Sequence, residues 1–253
     1  MWPVLRRFKR KQTAQIPSKT APVQWFNAGD VLRLSFAKHP ATGEPVKIGS
    51  GHYSTVYTGR IHFKTEQGIT RRRVAIKVYN SQLTPEQADG LQRTIDLLRV
   101  GKVPYLPKMG LYCLTNRDSA SVSNVPAGTW VVVSQLFGSS KRGSKVPYRI
   151  SETSLSRSSM DKLIKIGVAV ANQGLRPALD LSVVSKNQSF VVPLDLDGVR
   201  LASDKSNAST LLSLIECITP QSGTREKRRL LKLALREAKP GLKAFLERQE
   251  QWL

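Results

Sequence analysis

The stretch from Gly49 to Lys77 restricts this chain more than any other. It reads GSGHYSTVYTGRI, crosses a polar turn, and resumes as RRRVAIK. Val56, Tyr57, Ile61 and Phe63 mark one β-rich run and Val74, Ala75 and Ile76 a second, at the separation of an antiparallel hairpin. Ahead of it, Gly49, Gly51, Ser54 and Val56 make a G-x-G-x-x-S-x-V pattern. Lacking Cβ, residues 49 and 51 let backbone N–H groups come close to an anion.

The bulk signal is charge. The 253 residues carry 40 Lys and Arg against 18 Asp and Glu, a formal net charge of +22, with a pI near 10.5. A field of that sign draws polyanions: nucleic acid, an anionic membrane surface or a phosphorylated glycolipid. Cys113 and Cys217 stand far apart without metal-site spacing, which argues against a disulfide scaffold or a zinc site and for a reducing, cytoplasmic setting. No apolar run is long enough for a transmembrane helix. Residues 1–24 hold six cations and no acid, with Trp2, Val4, Leu5 and Phe8 among them. This basic arm is expected to be disordered, with contact to a membrane surface as the alternative.

Beyond the lysine strand the chain alternates helical and strand patterns. Residues 25–64 read as β-structure leading into the hairpin. Thr84 and Pro85 open a helix to Arg99 with Leu91, Ile95 and Leu98 on one stripe. GTWVVVSQLFG at 128–138 reads as a buried strand, and the Ser-rich, basic segment 139–158 as a connection. Ser159 is expected to cap a helix from Met160 to Gln173 that ends at Gly174, with Leu163, Ile166 and Val170 inward. Val183–Val184 and Phe190–Val192 flank a Lys186-Asn187-Gln188 turn as a hairpin, closed by LDLDG at 194–198. Helices follow over Asn207–Ile218, Arg225–Ala238 and onward to Trp252.

Together, the glycine pattern and the V-A-I-K strand resemble the phosphate lid and the lysine strand of protein kinases. That resemblance implies an α+β, bilobal protein-kinase-like fold: a basic arm at 1–24, an antiparallel-sheet N-lobe with hinge at 25–138, and a reduced helical C-lobe at 139–253. It implies ATP with Mg2+ as cofactors. Gly49, Gly51, Ser54, Val56, Ala75 and Lys77 would hold nucleotide, Val133 would be the gatekeeper, and Gln135 would lie in a hinge over Ser134–Phe137. The glutamate that normally pairs with the lysine is replaced by Thr94, with Asp89 and Asp96 nearby. The hairpin after the Met160–Gln173 helix resembles the one that ends on the magnesium-binding aspartate, which puts Asp195 at the metal position with Asp197 beside it.

The catalytic pattern breaks in between. A gapless count sets Pro177 where the kinase catalytic aspartate belongs and Ser182 where its metal-binding asparagine belongs, although Arg176 survives. Proline offers no oxygen base to an acceptor hydroxyl. With a shortened loop, Asp180 becomes the base and Asp197 the metal ligand. The short segment after Gly198 is similar to the C-lobe of the lipopolysaccharide core kinases that act on Kdo and heptose. Three functions follow: a nucleotide-binding pseudokinase or weakly active kinase with a protein partner; an active phosphotransferase on a lipopolysaccharide sugar or a protein hydroxyl; and a polyanion or membrane-surface module, cytoplasmic or membrane-peripheral.

Overall fold

The computed structural model describes residues 26, 28–104, 108–119, 125–136, 147–149, 155–177, 181–184, 191–193, 199–219 and 223–250. The Gly49–Lys77 pattern becomes the centre of a six-stranded antiparallel sheet. Strands β3 (Ser54–Thr65) and β4 (Gly68–Tyr79) form a twelve-rung hairpin without a register break, from Ser54 opposite Tyr79 to Thr65 opposite Gly68. Strands β1 (Val31–Phe36) and β2 (Lys47–Ser50) lie end to end along the outer edge of β3. On the inner edge of β4 sits β6 (Trp130–Gln135), and β5 (Met109–Cys113) closes the order β1-β3-β4-β6-β5.

Alternation along β3 and β4 divides the sheet into two faces. Val74, Ile76 and Val78 point with Ile61, Phe63, Val131 and Val133 into a core that also takes Phe26, Leu34, Phe36 and Tyr112. The opposite face is covered at its β5–β6 end by the larger, helical core, which receives Met109 and Leu111 with Trp130 and Val132 against it.

Helix α1 (Pro85–Val100) starts on a full capping box: Gln87 N–H donates to Thr84 Oγ1, and Thr84 N–H donates to Gln87 Oε1. Its buried Ala88, Ile95 and Leu98 face β5. The short α2 (Asn116–Ser119) follows β5 and packs on β1. Helices α3 (Arg157–Ala171), α4 (Asp204–Ile218), α5 (Thr224–Glu237) and α6 (Pro240–Glu250) pack together around Leu163, Ile166, Leu211, Ile215, Leu230 and Leu246. The cap of α3 is Ser156, not Ser159: Ser156 Oγ accepts from Ser159 N–H, and Ser159 is fully buried inside the first turn. The hairpin expected around Lys186-Asn187-Gln188 is present as β8 (Leu181–Val184) against β9 (Val191–Pro193), with Val184 opposite Val191. A strand the sequence reading assigned to a mere connection, β7 (Pro147–Arg149), pairs with the other edge of β8. The result is an α+β protein with one curled antiparallel sheet, a small second sheet and a helical core. Among the described residues no helix is long and apolar enough to cross a membrane.

Candidate functional site

Register decides which side chains share the half-covered face of the sheet. Val56 stands opposite Lys77, Thr58 opposite Ala75 and Ser54 opposite Tyr79, so Ser54, Val56, Ala75 and Lys77 lie on one surface. Gly49 is the cross-strand neighbour of Val56 on the next strand out. Lys77 is half-buried, and its Nζ lies 5.6 Å from the centroid of the Tyr79 ring two residues on. Gly49, Val56 and Lys77 are thus brought together over three adjacent strands.

The tip of the β2–β3 hairpin is pinned from β4. Gly51 N–H donates to the Ser54 carbonyl at 2.9 Å, Asn80 N–H donates to the Tyr53 carbonyl, and Asn80 Nδ2 donates to the His52 carbonyl at 2.8 Å. A Cβ built on either Gly49 or Gly51 meets nothing within 4 Å, and neither residue has a positive φ. The fold itself therefore does not demand glycine at 49 or 51. It does demand one at Gly59, where a Cβ would strike the Ile76 side chain and the Ser35 carbonyl. A shallow hollow lined by His52, Tyr53, Tyr79, Asn80, Leu83 and Gln87 lies between the hairpin tip and the start of α1.

On β6 the parity differs from the expectation. Val133 pairs with Ile76 and is fully buried in the core behind the sheet, and Gln135 pairs with Val74, so both side chains are on the face away from Lys77. The residues sharing the Ala75–Lys77 face are Ser134, opposite Ala75, and Val132, opposite Lys77. Val133 and Gln135 therefore do not share the face of Lys77, and the Gln135 N–H is given to the Lys108 carbonyl at 2.9 Å. A run of three valines has no alternation from which this parity can be read.

Helix α1 brings no carboxylate from position 94. Thr94 is buried and its hydroxyl donates to the Gly90 carbonyl of its own helix, while Asp96 pairs with Arg99 at 3.2 Å. Asp89 is exposed. After α3 the chain turns at Gly174, φ +70°, and is stitched to the segment beyond β9: Arg176 N–H donates to the Arg200 carbonyl at 2.7 Å, and Leu175 bridges Leu201. Pro177 is buried in this stitch and carries no polar side-chain atom. Ser182 sits in β8 opposite Pro193. Asp180, Asp195 and Asp197 lie outside the described residues, and among the described residues no acidic, His or Cys cluster could hold a metal.

One functional-looking carboxylate is new. Asp118 is 1% exposed, and its two oxygens accept from Leu34 N–H (2.7 Å), the Tyr112 hydroxyl (2.9 Å), Thr115 N–H (3.0 Å) and the Thr115 hydroxyl (2.6 Å). Leu34 is in β1 and Tyr112 in β5, the two ends of the sheet order, so this carboxylate clasps the curled sheet across its opening. With its oxygens saturated by donors it is structural. Its signal was Thr115-x-x-Asp118, a spacing at which each residue can serve the other's backbone. No protein-family model and no curated protein matches the chain.

Proposed function

We propose that the chain is a protein-kinase-like nucleotide-binding domain with weak or absent phosphotransfer. What supports this is the position of β4. In sequence the lysine strand is followed by a helix, another strand and a loop, yet its neighbours in the sheet are β3, which carries the lid, and β6, the strand expected to lead into the hinge. A nucleotide bound against this face would have the Gly49–Val56 lid on one side of Lys77 and the Val132 and Ser134 side chains of β6 on the other. Lys77 would meet the α- and β-phosphates as a point charge, and Val56 and Ala75 would flank the base. Mg2+ would fall to Asp195 and Asp197.

Weak chemistry follows from the residues that the resemblance sets at the catalytic positions. Pro177 has no oxygen to orient an acceptor hydroxyl, and position 94 offers Lys77 no glutamate. Asp180 is the base that remains for a phosphotransferase acting on a sugar or protein hydroxyl.

The test is a thermal shift with ATP, with and without Mg2+, on wild type and Lys77→Ala, run beside a radiolabelled turnover assay that includes Asp180→Asn. A shift that needs Lys77, without turnover, is the expected result. Turnover lost in both variants would replace the pseudokinase reading with an active enzyme; no shift in wild type would remove nucleotide altogether.

A further inference from the structure

The far end of the same hairpin carries a second feature, independent of the nucleotide cleft. On the face that holds Val56 and Lys77, β3 continues with Arg60, His62 and Lys64, and β4 with Arg71 and Arg73. Arg60 stands directly opposite Arg73, His62 directly opposite Arg71, and Arg33 of β1 opposite His62 on the other side. Strands β1, β3 and β4 contain no acidic residue. All five cations are exposed, and none has an ion-pair partner among the described residues.

Like charges opposite each other across a ladder destabilise a sheet. Charge on an edge strand is commonly protection against aggregation, and that duty is open to Lys64, beyond the reach of β1, and to Arg71 and Arg73, beyond the reach of β6; Arg60, flanked by β1 on one side and β4 on the other, has no such duty. Burial, then Arg71, Arg33 and Arg60 in that order, push the His62 imidazole below its ordinary pKa. The three guanidinium groups are therefore close enough to act on one point.

Four residues along a strand and two strand spacings across give a track of about 13 by 10 Å. We propose that this β1–β3–β4 face, carrying Arg33, Arg60, Lys64, Arg71 and Arg73, docks the phosphodiester backbone of nucleic acid without reading its sequence. Arginine outnumbers lysine four to one in this set, and its planar fork matches phosphate oxygens in pairs. The face has no exposed aromatic ring to stack on a base, which leaves the backbone as the thing held. A membrane surface is the poorer fit, because Ile69 is the one exposed large apolar side chain at this end of the hairpin and Glu66 occupies the adjoining turn.

The experiment is fluorescence anisotropy of the full chain with a short labelled single-stranded RNA and with a short DNA duplex, between about 50 and 200 mM salt. Arg60→Gln/Arg73→Gln is compared with Arg228→Gln/Lys232→Gln, which removes the same charge from the exposed side of α5. The first pair should weaken binding by roughly tenfold or more and flatten the slope of log K against log salt by about two, and the α5 pair should leave both nearly unchanged. Because the removed arginines face each other, the melting temperature should hold or rise. If it falls instead, Arg33→Gln/Arg71→Gln provides the same comparison. Equal weakening by the hairpin and α5 pairs, no effect of the hairpin pairs, or binding to phosphatidylserine vesicles with none to either nucleic acid would each overturn the assignment.

Discussion

Replacing Asp118 by asparagine changes one atom and should cost the sheet its clasp. In the native protein Oδ1 accepts from Leu34 N–H, while Oδ2 accepts from Thr115 N–H, the Thr115 hydroxyl and the Tyr112 hydroxyl. An asparagine keeps one acceptor oxygen. The hydroxyls can rotate to accept from its NH2, but a backbone N–H cannot, so either Leu34 or Thr115 is left facing a donor whichever way the amide sits. One buried, unsatisfied N–H costs about 1–3 kcal/mol, and the remaining bonds drop from ionic to neutral strength, about 1 kcal/mol each. With three bonds remaining the sum is about 4–6 kcal/mol, read as a urea midpoint lower by about 2 M. The Tyr112 phenol gives a second readout. Burial first, and the bond to Asp118 next, raise its pKa above the ordinary 10.0. A group raised on folding contributes stability below its unfolded value and loses it as pH climbs past that, so wild type should weaken above about pH 10. Asp118→Asn should ionise Tyr112 at lower pH in an ultraviolet titration. A loss under about 1 kcal/mol with an unchanged phenol titration would refute the clasp.

Five further substitutions probe separate layers. Gly59→Ala should destabilise by about 1–3 kcal/mol, since the Ser35 carbonyl in its way is backbone and cannot step aside, whereas Gly51→Ala should leave urea stability within about 1 kcal/mol and weaken any ATP-induced thermal shift. Arg229 ties α5 to α3 through Asp161 at 2.6 Å and braces its own helix through Glu226 at 2.7 Å, and its hydrogen bond to Glu226 holds that carboxyl below the ordinary value of 4.5. That contribution exists above about pH 4.5 and disappears as pH falls through the lowered pKa, so Glu226→Gln should flatten the acid limb of a pH–stability curve and cost no more than about 1 kcal/mol at pH 7. Ser134→Leu should abolish any ATP-induced shift with little loss of fold, because position 134 is half-buried on the face of Ala75 and Lys77; Val133→Ser, by contrast, should lower stability and leave any such shift to whatever folded protein remains.

Local pattern carried much of the architecture. The β3–β4 hairpin, the capped start of α1, the β8–β9 pair and the amphipathic stripes of α4 and α5 each announce themselves within a dozen residues, through alternation or helical spacing. What escaped depends on contacts remote in sequence or on a parity that the residues leave open. Ser156 and Ser159 are equally good caps by type, and the choice fell to Ser156 because Ser159 is needed inside the packed first turn. Val133 and Ser134 exchange faces because VVV carries no period. Asp118 reads as an ordinary loop acid until β1, 84 residues earlier, supplies a donor. For the candidate site, the side chains on β3 and β4 were legible because a single unbroken hairpin holds them, and the share of β6 was not.

The insertion of β6 between β4 and β5 has a consequence for biosynthesis. As the chain leaves the ribosome, VAIKV of β4 finds β3 at once but has no inner neighbour until Gln135 emerges, 57 positions after Val78. At synthesis rates of about 5–20 residues per second that interval is about 3–11 s. During it the apolar stretch from Val74 to Val78 presents an open hydrogen-bonding edge, interrupted by Lys77. The lysine on which nucleotide binding would depend is then also the charge inside that stretch which, with Arg71, Arg72 and Arg73 ahead of it, guards the nascent sheet against pairing with its neighbours on a polysome.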